Sequence, residues 1–177
     1  MTDVAIRASR TGDWDALEAV YQAAFPEEEL THILRVLLAK PEPFLSLTAE
    51  KDGLPIGHVA FSPCGLTEAN VSLSLLGPLA VHPDVQARGI GSALVRAGFD
   101  RLKKSGVSTV LVLGDPGYYG RFGFLGDHAI DPPFDLPAEW DSAWQAVDLS
   151  DQDGVLAGLA GRLMVTDPWR DEKLWLP

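Results

Sequence analysis

At 177 residues, 46% hydrophobic and 22% charged, the chain is long enough to bury a substantial core as one domain, residues 1–177, and too ordinary in composition for a disordered or fibrous protein. Its net charge of −11 argues against nucleic-acid binding driven by the overall field. A single cysteine, Cys64, excludes intrachain disulfides and a cysteine-rich zinc site, and no stretch approaches the roughly 18 apolar residues of a membrane span, so a cytoplasmic protein without metal or membrane partner is expected.

Val4 to Ala8 reads as a strand, followed by Thr11 as a helix N-cap with Asp13 and Asp15 in the first turn. Leu17, Val20, Tyr21 and Ala24 then share one helical face, and Pro26 stops the helix. A second helix begins in Glu27-Glu28-Glu29, carries Leu30, Ile33, Leu34, Leu37 and Leu38 to one side, and ends at Pro41. Asp52-Gly53 is a hairpin signal between strands Phe44 to Lys51 and Leu54 to Ser62. His58, inside the second strand, reads as structural before catalytic. Pro63 to Asn70 reads as a loop, and Val71 to Val81 as a strand broken at Gly77-Pro78, where a proline removes a ladder donor and favours a bulge or a parting from a neighbour.

From Leu75 to Leu94 an apolar strand runs through a proline-containing turn into a helix whose start holds Arg88, Gly89, Gly91 and Ser92. Such a helix start leaves backbone N–H groups unpaired and carries the positive end of the helix dipole, which suits an anion. The region is locally basic: Arg88, Arg96, Arg101, Lys103 and Lys104 face a single acid, Asp100. The helix extends from Ile90 to Ser105 and Gly106 ends it; Ser108 to Leu113 is an apolar run expected of a strand buried on both faces.

Asp115-Pro116 forms a capped helix start for Gly117-Tyr118-Tyr119-Gly120-Arg121-Phe122, closed by Gly123 before Phe124. Beyond Leu125 the proline-rich Asp131-Pro132-Pro133 reads as a loop, and Ala143 to Leu149 and Gly161 to Thr166 as strands. Eleven acids oppose Arg162, Arg170 and Lys173 there, a solvated surface in the plainer reading and an attraction for a cationic amine in the sharper one. Trp140, Trp144, Trp169 and Trp175 read as packing residues.

Gln86-Ala87-Arg88-Gly89-Ile90-Gly91, following Leu79-Ala80-Val81-His82-Pro83, resembles the acyl-CoA signature of the GNAT superfamily of N-acyltransferases, and Tyr119 to Gly123-Phe124 is similar to its Tyr-x-x-x-Gly-Phe helix end. The resemblance implies an α/β (α+β) fold, a mixed, largely antiparallel twisted sheet flanked by helices with splayed central strands. It further implies direct acetyl transfer from acetyl-CoA to a small-molecule or peptide amine. Leu79, Ala80 and Val81 would contact pantetheine, Gln86, Arg88, Gly89, Gly91 and Ser92 would cradle the pyrophosphate, and Tyr119 would be the general acid, with Tyr118 as fallback. Many members place a carboxylate base on the strand before the signature. Val71 to Val81 contains none, which leaves Glu68, His58, His82 and ordered water open as bases. An acyl-CoA-binding module without transfer activity is the alternative. A dinucleotide-binding oxidoreductase comes third, since Leu94 stands at the third glycine position and seven residues separate Val81 from Gly89.

Overall fold

Among the described residues, seven strands from the predicted β-rich runs and one unpredicted strand assemble into a mixed, mostly antiparallel eight-stranded sheet with helices beside it. The computed structural model describes residues 3–28, 30–39, 44–152 and 154–176. They form two compact units, one of Met1–Phe61 with Gly77–Asp100, the other of Ser62–Leu76 with Arg101–Pro177.

The first unit contains an antiparallel meander of β1 (Ala5–Ala8), β2 (Leu45–Lys51) and β3 (Leu54–Leu66) up to Phe61. Its hairpin turn places Asp52 at φ 53° and Gly53 at φ 80°, the doubly left-handed turn whose twist matches the flanking strands. Helix α1 (Trp14–Ala24) buries the predicted face through Leu17, Val20 and Tyr21, and α2 (Thr31–Ala39) through Ile33, Leu34 and Leu37. Leu17, Val20, Tyr21 and Leu34 pack in one cluster with Ala80 of β4 (Leu73–Val81). Truncating Leu17, fully buried there, to alanine costs about 2–5 kcal/mol. Helix α2 starts after the acidic run that was expected to open it; Glu29 and Pro41 lie outside the described residues. Helix α3 (Ile90–Lys104) begins in this unit.

Thr11 does not cap α1. It opens a short 3-10 turn, Thr11–Asp13, and the Asp13 carboxylate closes that turn by accepting from the Arg10 backbone N–H at 2.7 Å. Arg7 on β1 explains the exchange, because its guanidinium donates to both Asp13 oxygens at 2.7 and 2.8 Å and to Glu50 on β2 at 2.8 Å. An aspartate gains a charged partner there that a threonine hydroxyl could not.

In the second unit, β5 (Thr109–Leu113) runs parallel to Leu73–Leu75 of β4 and antiparallel to β7 (Trp144–Asp148). Strand β3 continues to Leu66, so Pro63 to Leu66 is strand rather than loop. Gly65 and Leu66 pair with Met164 and Leu163 of β8 (Ala160–Met164). Strand β8 also pairs with β6 (Ala129–Asp131), which no periodicity announced. Leu66, Leu73, Leu111, Trp144, Leu163 and Trp175 fill the core of this unit. Trp144 and Trp175 sit in this core with Trp169 packed against it: Trp144 Nε1 donates to Ile130 O at 2.8 Å and Trp175 Nε1 to Trp169 O at 2.9 Å. No described helix is long and apolar enough to cross a membrane.

Candidate active site

The loop between β4 and α3 is built by its own short-range bonds. The His82 N–H donates to Ile56 O at 2.9 Å, fastening the end of β4 to β3. Pro83–Val85 form a 3-10 turn, and the Gln86 side-chain amide donates to Val81 O at 2.9 Å across it. Gln86, predicted in the phosphate cradle, therefore ties the loop's two ends together through its side chain. Ala87 at φ 58° and Gly89 at φ 80° are both left-handed, and α3 follows at once with Ala93 N–H on Gly89 O at 2.9 Å. Helix geometry leaves the N–H groups of Ile90, Gly91 and Ser92 without an intrahelical carbonyl. Beyond its neighbours in the chain, nothing lies within 4 Å of where a Gly89 Cβ would stand, so backbone conformation rather than crowding demands the glycine and the space beside it is open.

Left-handed residues at 87 and 89 directly before a fifteen-residue helix are the backbone pattern that can turn successive N–H groups toward one anion. Gly91 and Ser92 sit half-buried in the first turn of that helix, and Gln86, Arg88 and Gly89 are exposed. The Arg88 side chain lines a cleft of about 500 Å³ with Lys51, Asp3, Ile56, Val85 and Ile90. Among the preceding strand residues, Ala80 is buried into the α1 cluster, while Leu79 and Val81 are half-buried.

Tyr119 belongs to the second unit. Helix α4 (Pro116–Tyr119) starts as expected, with the Asp115 carboxylate accepting from Gly117 N–H at 2.8 Å, and a 3-10 turn carries it to Gly123 at φ 89°. The Tyr119 ring lies edge-on to Tyr118 and Phe124 at centroid distances of 5.0 and 5.6 Å. Its fit depends on Gly114, where a Cβ would come within 2.4 Å of Tyr119 Cε2. Burial, with Tyr118 adding to it, pushes the Tyr119 phenol well above its ordinary pKa, so it holds its proton. Tyr118 instead packs under the Arg121 guanidinium, 4.5 Å from its ring centroid.

The candidate bases differ in setting. Glu68 is exposed. The His82 ring accepts from Asp84 N–H at 3.3 Å, a turn contact. His58 is fully buried, with Nδ1 2.8 Å from the Tyr21 hydroxyl and Nε2 2.8 Å from Ser46 Oγ, and desolvation pushes its pKa down to about 3. Burial raises the Cys64 thiol, which removes it as a thiolate nucleophile. Sequence reasoning missed the His58 bonds and the role of Gly114, because neither leaves a local pattern. It also missed that Asp131, Asp135 and Asp141 line one cleft of about 410 Å³ with Trp144, His128 and Arg162.

The acetyltransferase (GNAT) family model matches residues 14–124, a span that holds both the β4–α3 loop and the Tyr119 to Phe124 turn. The chain belongs to the GNAT family. Within it, the chain is 33% identical to the uncharacterised N-acetyltransferase YhbS of Escherichia coli K12 over 166 residues, covering 88% of this chain and 92% of that one. It is 36% identical to the uncharacterised N-acetyltransferase YjhQ of the same strain over 121 residues, 66% of this chain and 67% of that one. Two solved GNAT structures share the fold closely. The E. coli YhbS complex with CoA superposes with a TM-score of 0.83 at 29% identity, covering 94% of this chain and 91% of that one. A Brucella melitensis acetyltransferase in complex with acetyl-CoA gives 0.73 at 31% identity, covering 94% and 98%. The GNAT fold thus accounts for the mixed sheet and for the glycine loop that opens α3.

Proposed function

We propose that the chain, acting as one domain, moves the acetyl group of acetyl-CoA directly to a primary amine. The observation that carries this reading is the start of α3: left-handed Ala87 and Gly89, three N–H groups without helical partners, and open space beside Gly89. Gly89, Gly91 and Ser92 hold the diphosphate through main-chain amides, Arg88 adds charge beside them, and Gln86 keeps the loop closed. Leu79, Ala80 and Val81 lie along the pantetheine arm. The bound complexes of the two solved relatives support this choice of ligand.

Acetyl-CoA supplies an activated thioester. Tyr119 supplies the proton for the leaving thiolate; its phenol is protonated at neutral pH, and the support for the role is its place in the Tyr119 to Phe124 turn rather than its raised pKa, which makes it a weaker acid. The acceptor is an amine, small or peptidic.

Binding and turnover are measured separately. Acetyl-CoA should raise the melting temperature and NAD should not, because only a ligand of the native state stabilises it. Free-thiol release over an amine panel then separates a transferase from an acyl-CoA-binding module, the second reading, which the lack of a carboxylate between Val71 and Val81 favours. Binding with no thiol release from any amine would establish the module.

A further inference from the structure

The first unit gathers two cations beside the loop that opens α3. The His82 N–H on Ile56 O at 2.9 Å fastens that loop to β3, and the pairing of Lys51 with Leu54 closes the β2–β3 hairpin next to it. Ala5 stands opposite Glu50, so Asp3 and Val4 leave β1 at the level of Lys51. The result is a cleft of about 500 Å³, a size suited to a small ligand, with Lys51 and Arg88 as its cations. Arg88 is exposed and Lys51 half-buried, so both can meet a ligand arriving from solvent.

Among the described residues neither of these side chains is in an ion pair, whereas Arg7, Lys103 and Arg162 each are. Two like charges lining one cleft repel each other until an anion joins them. The chain as a whole carries −11, which opposes the approach of a ligand as anionic as coenzyme A. Salt confines that repulsion to about 10 Å at 0.1 M, so cations at the point of contact decide whether the anion is held. The rest of the lining narrows the choice of anion. Val4, Ile56 and Val85 offer apolar surface to a flat ring, and the Asp3 carboxylate offers an acceptor to an amino group. Phosphate, ring and amino group occur together in the 3′-phosphoadenosine end of coenzyme A, which one ribose joins to the diphosphate.

We propose that the cleft between Lys51 and Arg88 holds the 3′-phosphate of coenzyme A, and that Lys51, on a strand outside the glycine loop, is the residue that tells coenzyme A from dephospho-coenzyme A. The inference rests on acetyl-CoA being the ligand of the reading above, and adds a second point of recognition to the diphosphate. A phosphate monoester carries about two negative charges at neutral pH. It accepts charge-assisted hydrogen bonds from the Lys51 ammonium and the Arg88 guanidinium. Arg88 also stands beside the α3 amides, so it serves both phosphate groups, while Lys51 serves the 3′-phosphate alone. Lys51 therefore sets the difference between the two ligands, and Arg88 contributes to the affinity for each.

The test is calorimetric titration of wild type, Lys51→Gln and Lys51→Arg with coenzyme A and with dephospho-coenzyme A. Wild type should favour coenzyme A by about tenfold. In Lys51→Gln the Kd for coenzyme A should rise and that for dephospho-coenzyme A should hold, leaving a preference of about twofold or less, and Lys51→Arg should keep the wild-type preference. Added salt should shrink that preference. Damage to the hairpin would weaken both ligands alike, so the ratio separates recognition from misfolding. Equal wild-type affinity for the two ligands, or an unchanged ratio in Lys51→Gln, overturns the assignment and leaves the transferase standing. Coenzyme A binding with the expected ratio but no thiol release from any amine would keep the cleft and remove the transferase. Wild type that binds neither ligand overturns both.

Discussion

A Cβ on Gly114 would stand 2.4 Å from Cε2 and 2.9 Å from Cδ2 of Tyr119, so the end of β5 and the proposed acid occupy one another's space by design of the sequence. Gly114→Ala must therefore push the ring aside. We expect kcat to fall at least about tenfold, stability to drop by about 1–3 kcal/mol, and acetyl-CoA affinity to stay as it was. Stopped-flow thiol release with parallel calorimetric binding reads all three. An unmoved kcat would mean that the ring position is immaterial.

Tyr119→Phe keeps the ring contacts with Tyr118 and Phe124 and removes only the hydroxyl. The expected result is a fall in kcat of about 10²–10⁴-fold with an unchanged Kd for acetyl-CoA. Retained turnover would take the acid role away from this residue.

Gly89→Val forces a β-branched residue to φ 80°. The strain costs about 1–3 kcal/mol, and the loop answers by rotating the amides that face the diphosphate. Acetyl-CoA affinity should suffer first, measured as a lost thermal shift, and wild-type affinity would discredit the cradle.

Ala87 offers the opposite experiment, because it is a residue with a Cβ at φ 58°. Ala87→Gly relieves about 1–2 kcal/mol of left-handed strain against about 0.5–1 kcal/mol of added unfolded-state entropy. The urea midpoint should rise slightly or hold, with cofactor affinity intact, whereas a clear loss of stability would contradict the strain.

His58 sets a pH dependence whose sign follows from its lowered pKa. Unfolded, it titrates near 6.5; folded, near 3, so below about pH 6.5 the unfolded chain binds the extra proton and stability falls until about pH 3. Above pH 6.5 this contribution is fully present. The loss should reach on the order of 3–5 kcal/mol at the acid end. Urea midpoints taken from about pH 8 down to pH 4 should therefore decline, and a flat profile would show that the ring titrates normally.

What was legible in the sequence was what short-range forces decide. The strand, the glycine turn and the start of α3 lie within twenty consecutive residues, Leu75 to Leu94, and the left-handed Gly89 and the capped α4 depend on neighbours two to five positions away. The apolar faces of α1 and α2 were readable because periodicity is a local property. Tertiary structure alone decided the rest. Thr11 does not cap α1, and the Asp13 turn that stands there is tied to Arg7, which β1 pairing with β2 also sets against Glu50. The far end of β3 became strand because Leu66 met Leu163. His58 found Tyr21 and Ser46, 37 and 12 positions away, only once strands and helix had docked. Side-chain partners of that separation depend on register and docking, which residues along a single stretch of chain do not encode by themselves.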